Sequence, residues 1–298
     1  MRIALVLHDA SPEPDGAPLF PTVALERDGA LYRVSALARA FGPRYEALAG
    51  EVDFHCSIVS LSAEPLRELD ERLKSGERPA SARILPGTFT WLAPCDPERA
   101  SIVFCDASDA VTPGSRPHFS IGSARVLFGH EATVPLPCDA SEPIAPAVQP
   151  SLAVVLGEEI SCATDAEAKR AILGYSLLLA YRPGFRAQLG PVLVTRDEAG
   201  DLNARSPCLR IGGVTLQAAD LGVAPLSIAE VIAWVSYQLP LCAGDVIALT
   251  KIDGDTGREA AASLDLGVRV ELSVPRLGKL AGRAVLGPSP STFRRGAV

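Results

Sequence analysis

The side chains able to do chemistry are scattered through this sequence. His130 and Glu131, in "LFGHEATVPLP", form an adjacent His–acid pair. An imidazole beside a carboxylate can exchange protons near neutral pH. Adjacent residues on an extended chain point opposite ways, which works against joint action. Arg182 and Arg186, in "YRPGFRAQLGP", can clamp a carboxylate through paired N–H donors. Beside Pro183 and Gly184 they can equally be exposed loop arginines. Asp106 and Asp109 can act as carboxylate bases or as turn formers. Lys251 stands beside Asp253 and Asp255. If desolvated, its ammonium becomes a base or Schiff-base nucleophile; otherwise it is a surface lysine in a loop. Glu158, Glu159 and Asp165 read as solvated acids, the last in a first helical turn where the helix dipole favours it.

No metal site is expected from spacing. His8, His55, His118 and His130 are isolated, and the seven cysteines never form a C-x-x-C pair. The cysteines read as mostly buried, reduced thiols.

The elements that must position these groups are legible as patterns. "RIALVLH" reads as a first strand and "DFHCSIVSLS" as another. "PLRELDERLKSGE" is an amphipathic helix with Leu66, Leu69 and Leu73 on one face. "SGERPASARILPG" reads as a crossing to a second part that opens with the strand "SIVFC". Residues 107–150 read as loops with short strands. "SLAVVLG", "YSLLLAY", "GPVLVT", "GDVIALT" and "VRVELSV" are strands. "CLRIGG" and "VTLQAAD" pair through a tight turn at Gly212–Gly213. Two capping boxes, Thr164 with Glu167 and Ser227 with Glu230, open helices.

The 298 residues carry a net charge of −7, and Lys and Arg occur at most as adjacent pairs. That balance gives nucleic-acid binding little electrostatic support. No apolar run approaches the roughly 20 residues of a membrane span. The N-terminus lacks a signal-peptide cleavage pattern, so the expected location is the cytoplasm, with no membrane partner.

The order of segments from about residue 100 to 287 resembles the fumarylacetoacetate hydrolase family. The pieces that carry the resemblance are "LAVVLG", "AILGYS", "LGPVLVT", "IGGVTLQ", "SIAEVIAWVS", "LCAGDVIALT" and "VELSVPRLGKL". The resemblance implies an α+β, mainly β mixed-sheet (β-roll) domain over residues 91–298, preceded by a small α/β domain over 1–90. It implies a homodimer and a small-molecule substrate that is an enolisable keto-acid. In the family a divalent cation sits on three carboxylates, chelates the keto-acid and stabilises its enolate. Here the two Glu-x-Glu positions before "LAVVLG" hold Gln149 and Ser151, and the third position falls at Ala180. The family's His falls near Ala110, and the loop that should supply Arg and Lys is shortened and has no Lys.

The resemblance thus points to a diverged member without metal or other cofactor. Gln149 and Ser151 alternate on one strand face and would point into the former metal cavity. Lys251 falls in a segment that contacts substrate in the family, where its charge could replace that of the cation. The expected function is metal-independent cleavage or formation of C–C or C–O bonds, hydration, decarboxylation or cyclisation of a keto-acid or polyketide-like substrate. Lys251, His130 and Glu131 are the catalytic candidates. Gln149, Ser151, Arg182, Arg186 and Asp106 are the substrate-binding ones. The alternative is a non-catalytic ligand-binding or scaffold subunit. An enzyme should keep a deep cavity with convergent polar groups, and a scaffold should have it filled.

Overall fold

The structure is a computed structural model. It describes residues 1–8, 21–49, 63–106, 116–137, 145–200, 202, 207–217, 227–250 and 262–287. The expected strand at "DFHCSIVSLS" lies outside them.

Eighteen strands are present among the described residues: β1 Arg2–His8, β2 Pro21–Arg27, β3 Ala30–Arg33, β4 Arg83–Ile84, β5 Phe89–Leu92, β6 Ser101–Asp106, β7 His118–Ser123, β8 Leu127–Phe128, β9 Thr133–Leu136, β10 Ala147–Leu156, β11 Ile172–Arg182, β12 Ala187–Thr195, β13 Cys208–Ile211, β14 Val214–Gln217, β15 Val246–Thr250, β16 Ala262–Ser263, β17 Arg269–Val274 and β18 Gly278–Leu286. The α-helices are α1 Val34–Phe41, α2 Ala63–Lys74, α3 Asp165–Ala171, α4 Arg196–Ala199 and α5 Ile228–Gln238. The chain is therefore α+β, mainly β.

One large mixed sheet runs β4-β3-β2-β1-β12-β11-β10-β15-β6-β7, and a second runs β14-β13-β17-β18-β9. β15 pairs with β6 in parallel, whereas β10 pairs antiparallel with both β11 and β15. The N-terminal strands continue the large sheet, because Arg2 and Ile3 of β1 pair with Val194 and Leu193 of β12. The stretch expected to cross between two parts includes β4, which pairs with β3 at the sheet edge. A two-residue edge strand has no period by which sequence could reveal it.

β10 is buried from Val148 to Leu156, which explains why it reads as an apolar run and not as an alternation. Its residues still take turns. Val148, Leu152, Val154 and Leu156 enter a core shared with β17, β18, α3 and α5. Ala153 and Val155 enter a second core, shared with β1, β2, α1 and α2. Leu66, Leu69 and Leu73 pack there as one helix face. Truncating a leucine so placed costs about 2–5 kcal/mol.

Local chemistry sets the helix starts. Thr164 accepts from the Glu167 N–H while Glu167 accepts from the Thr164 N–H, and Ser227 and Glu230 repeat the arrangement. Each cap contributes about 1 kcal/mol. Gly212 and Gly213 both have positive φ between the paired strands β13 and β14, as a type I′ turn requires.

Candidate active site

The second-core face of β10 carries polar residues at its beginning. Gln149 and Ser151 precede Ala153 and Val155 on that face, since side chains repeat every two residues. Gln149 lies directly opposite Ala180 of β11, and Ser151 opposite Leu178. The three positions at which the resemblance places metal carboxylates thus share one face of two neighbouring strands.

A cavity of about 220 Å³ opens here, where β10 begins and β11 ends. Gln149 and Ala180 line it. Gln149 is only 3 % exposed, and its side-chain amide makes no hydrogen bond with another described residue. Ser151 is fully buried behind it, and its hydroxyl has no hydrogen-bond partner among the described residues. A buried polar group left unpaired costs about 1–3 kcal/mol.

The tight turn between β11 and β12 forms the cavity's cationic side. Arg182 and Arg186 both line it. The backbone N–H of Tyr181 donates to the Arg186 carbonyl at 2.9 Å and closes this turn. The Arg186 guanidinium lies 5.9 Å from the centre of the Phe128 ring, within cation–π range. Opposite stand β6 and β7. They contribute Phe104, His118 and Phe119, and Phe185 comes from the turn. The Phe104 and Phe185 ring centres lie 6.3 Å apart.

His118, Phe104, Phe119 and Phe185 were not singled out by the sequence. The register of β6 and β7 is what brings His118 here, opposite Asp106, and no local pattern encodes it. Asp106 ends β6, with its backbone also opposite Thr250 of β15. The Asp106 side chain lies outside the described residues, as do Asp109 and Lys251.

His130 and Glu131 do not line this cavity. They sit at the seam between the two sheets. The Ala281 N–H donates to His130 Nδ1 at 3.0 Å, and Trp91 meets the imidazole edge-on at 5.4 Å. Glu131 is held by both terminal nitrogens of Arg269 at 2.6 Å. Burial holds the His130 pKa below its ordinary value, and the Arg269 hydrogen bonds hold Glu131 below its own. The imidazole is bonded to the backbone through Nδ1, and its Nε2 lies 3.5 Å from the Glu131 carboxylate that Arg269 clamps. The acids after β10 are peripheral too: Glu158 lies 3.6 Å from Arg170, and Asp165 is in the first turn of α3.

A divalent cation of the family's kind would need oxygen donors, mostly carboxylates. The cavity offers one neutral amide and a deeper hydroxyl, Ala180 has no donor, and two guanidinium groups flank the space. No group of three His, Cys, Asp or Glu residues among the described residues could hold a metal. The donor set of the described residues does not fit the cation. No helix among the described residues is long and apolar enough to cross a membrane.

Comparison with known proteins agrees with this architecture. Residues 184–285 match the family model of the fumarylacetoacetate hydrolase C-terminal region. The oxaloacetate tautomerases FAHD2A of Bos taurus and FAHD2B of Homo sapiens, both mitochondrial, are each 31 % identical over 99 residues, which is 33 % of this chain and 31 % of theirs. The chain thus spans about a third of the length of the curated relatives it matches. The crystal structure of maleylpyruvate hydrolase from Sphingobium sp. SYK-6, in complex with manganese(II) and pyruvate, superposes with a TM-score of 0.70 at 21 % identity, covering 97 % of this chain and all of that one. Fumarylacetoacetate hydrolase from Exiguobacterium antarcticum superposes with a TM-score of 0.70 at 17 % identity, covering 96 % and 99 %. The chain therefore has the fumarylacetoacetate hydrolase fold over nearly its whole length, and the family's sequence pattern over residues 184–285.

Proposed function

We propose that this chain is a fumarylacetoacetate-hydrolase-type enzyme that acts on an enolisable keto-acid without a carboxylate-held cation. One observation carries the reading. The cavity lies at the Gln149–Ala180 register position, is lined by the Gln149 amide, which has no hydrogen-bond partner among the described residues, and is flanked by two arginines and no carboxylate among its described lining residues. The open cavity supports an enzyme over a scaffold with a filled site. The fold and the match over residues 184–285 support the keto-acid class, since the similar proteins include an oxaloacetate tautomerase and a maleylpyruvate hydrolase.

The cation's electrostatic work then falls to fixed protein donors. Arg182 and Arg186 hold the substrate carboxylate. The Gln149 amide N–H donates to the neighbouring carbonyl oxygen. It bonds more strongly as that oxygen gains charge in the enolate, so it lowers the barrier. His118, on the facing strand, exchanges the proton at carbon. Losing a donor of this kind lowers turnover by about 100-fold or more.

The test is turnover of oxaloacetate and of acylpyruvates, followed through their enol absorbance in the presence of a chelator. The expected result is activity that survives chelation and falls about 100-fold in Gln149→Ala, with an unchanged melting temperature. Absence of turnover, or full activity in Gln149→Ala, overturns the reading.

A further inference from the structure

We infer that the cavity selects carboxylates with a flat, aromatic body over short aliphatic keto-acids. This rests on the keto-acid reading above and adds the substrate class.

The charge balance comes first. Arg186 lines the cavity, with Arg182 beside it engaged in an interaction of its own, and no Asp or Glu does so among the described lining residues. The ligand is therefore an anion. Its anionic end lies at the turn between β11 and β12, which carries both guanidinium groups.

The remaining wall decides the body. Phe104, Phe119 and Phe185 come from three separate places in the chain and converge on one space. Phe185 is 60 % exposed, so a large apolar ring stands at the cavity mouth with little protein over it. Its ring is tilted 41° from that of Phe104. Aromatic rings favour offset or edge-on neighbours at such spacings, and a flat ligand ring inserted here would meet such faces and edges. A short aliphatic acid would leave them wet.

Volume agrees with this choice. An apolar cavity of about 150 Å³ accommodates benzene. The present 220 Å³ has room for one ring and a short keto-acid arm. The arm then runs between the arginines and Gln149. That amide is neutral and can satisfy one oxygen, whereas a chelating metal engages two.

The test is isothermal titration of the full chain with three probes: phenylpyruvate, pyruvate and 3-phenylpropionate. The expected result is one-to-one binding of phenylpyruvate, at least about tenfold tighter than pyruvate, an advantage of about 1.4 kcal/mol. Phe185→Ala removes most of that advantage by weakening phenylpyruvate more than pyruvate; because Phe185 is exposed, this variant is expected to fold. Arg186→Ala weakens both keto-acids by about tenfold or more, the range for a hydrogen bond to a charged group. Equal affinity for the two keto-acids, or no effect of Phe185→Ala, overturns the aromatic class and leaves the keto-acid reading standing. Phenylpropionate binding as tightly as phenylpyruvate, with neither keto-acid turned over, overturns the keto-acid reading and leaves the aromatic class. Binding of none of the three overturns both.

Discussion

Two buried glutamines on strands of the same sheet have opposite surroundings. Gln188 of β12 is fully buried at the seam between the sheets. Its Oε1 accepts from the Tyr181 hydroxyl at 2.5 Å, and its Nε2 donates towards the carbonyls of Gly129, Ala132 and Ala281 at 3.0–3.3 Å. Gln149 of β10 is almost as buried, yet its amide has no hydrogen-bond partner among the described residues. Burial of a polar group is tolerated when its bonds are made. The satisfied glutamine therefore belongs to the fold. The unsatisfied one lines a cavity beside the Ser151 hydroxyl, and under the proposed function it bonds the substrate there.

The largest loss of stability is expected at the seam. Gln188→Leu leaves the buried Tyr181 hydroxyl without its acceptor, whereas the carbonyls of Gly129, Ala132 and Ala281 keep their backbone donors. It is expected to destabilise the protein by about 2–3 kcal/mol, read as a lower urea midpoint. Gln149→Leu is expected to change that midpoint by less than about 1 kcal/mol, because it replaces an unpaired group, while abolishing keto-acid turnover. Equal losses of stability from the two changes would mean that both glutamines are structural. Gly282 gives a second handle on the seam. A methyl group there would sit 2.1 Å from Gln188 Nε2, so Gly282→Ala is expected to cost about 1–3 kcal/mol through overpacking.

The seam should also respond to acid. His130 is held below its ordinary pKa by burial, so the unfolded chain binds its proton more readily than the native one. That stability is complete above the unfolded value, about 6.5, and is lost as pH falls below it. Melting temperature should therefore drop from pH 7.5 to 5.5. His130→Gln, whose side chain cannot titrate, should flatten the drop. An identical drop in that variant would place the titrating group elsewhere.

Ser151 offers a smaller contrast. Ser151→Ala removes a buried hydroxyl that bonds nothing and is expected to stabilise the ligand-free protein by up to about 1 kcal/mol. A loss of similar size would reveal a hidden partner. The smallest effect is expected at Arg269. Its bond to Glu131 is bidentate but exposed, so Arg269→Ala should cost under about 1 kcal/mol.

Sequence was most informative where the signal is local. Both capping boxes, the Gly212–Gly213 turn and the apolar run of β10 depend on residues a few positions apart, and each is present as read. The alternation of Gln149 and Ser151 follows from strand geometry alone. What stayed hidden depends on distant pairing. His118 reaches the cavity only through the β6–β7 register. β1 joins the large sheet by pairing with residues about 190 positions away, which no local period can announce. His130 and Glu131 stood out by adjacency, but adjacency says nothing about environment: the Ala281 N–H and the Arg269 guanidinium already occupy them.

The central claim is that a neutral amide and two guanidinium groups stand where a carboxylate-held cation would otherwise act. Titrating manganese(II) into chelator-treated protein tests it most directly, because an ion bound specifically to the native state must release stoichiometric heat or raise the melting temperature. Neither is expected. One-to-one uptake of manganese with a raised melting temperature would contradict it, and would show that carboxylates outside the described lining of the cavity complete a metal site.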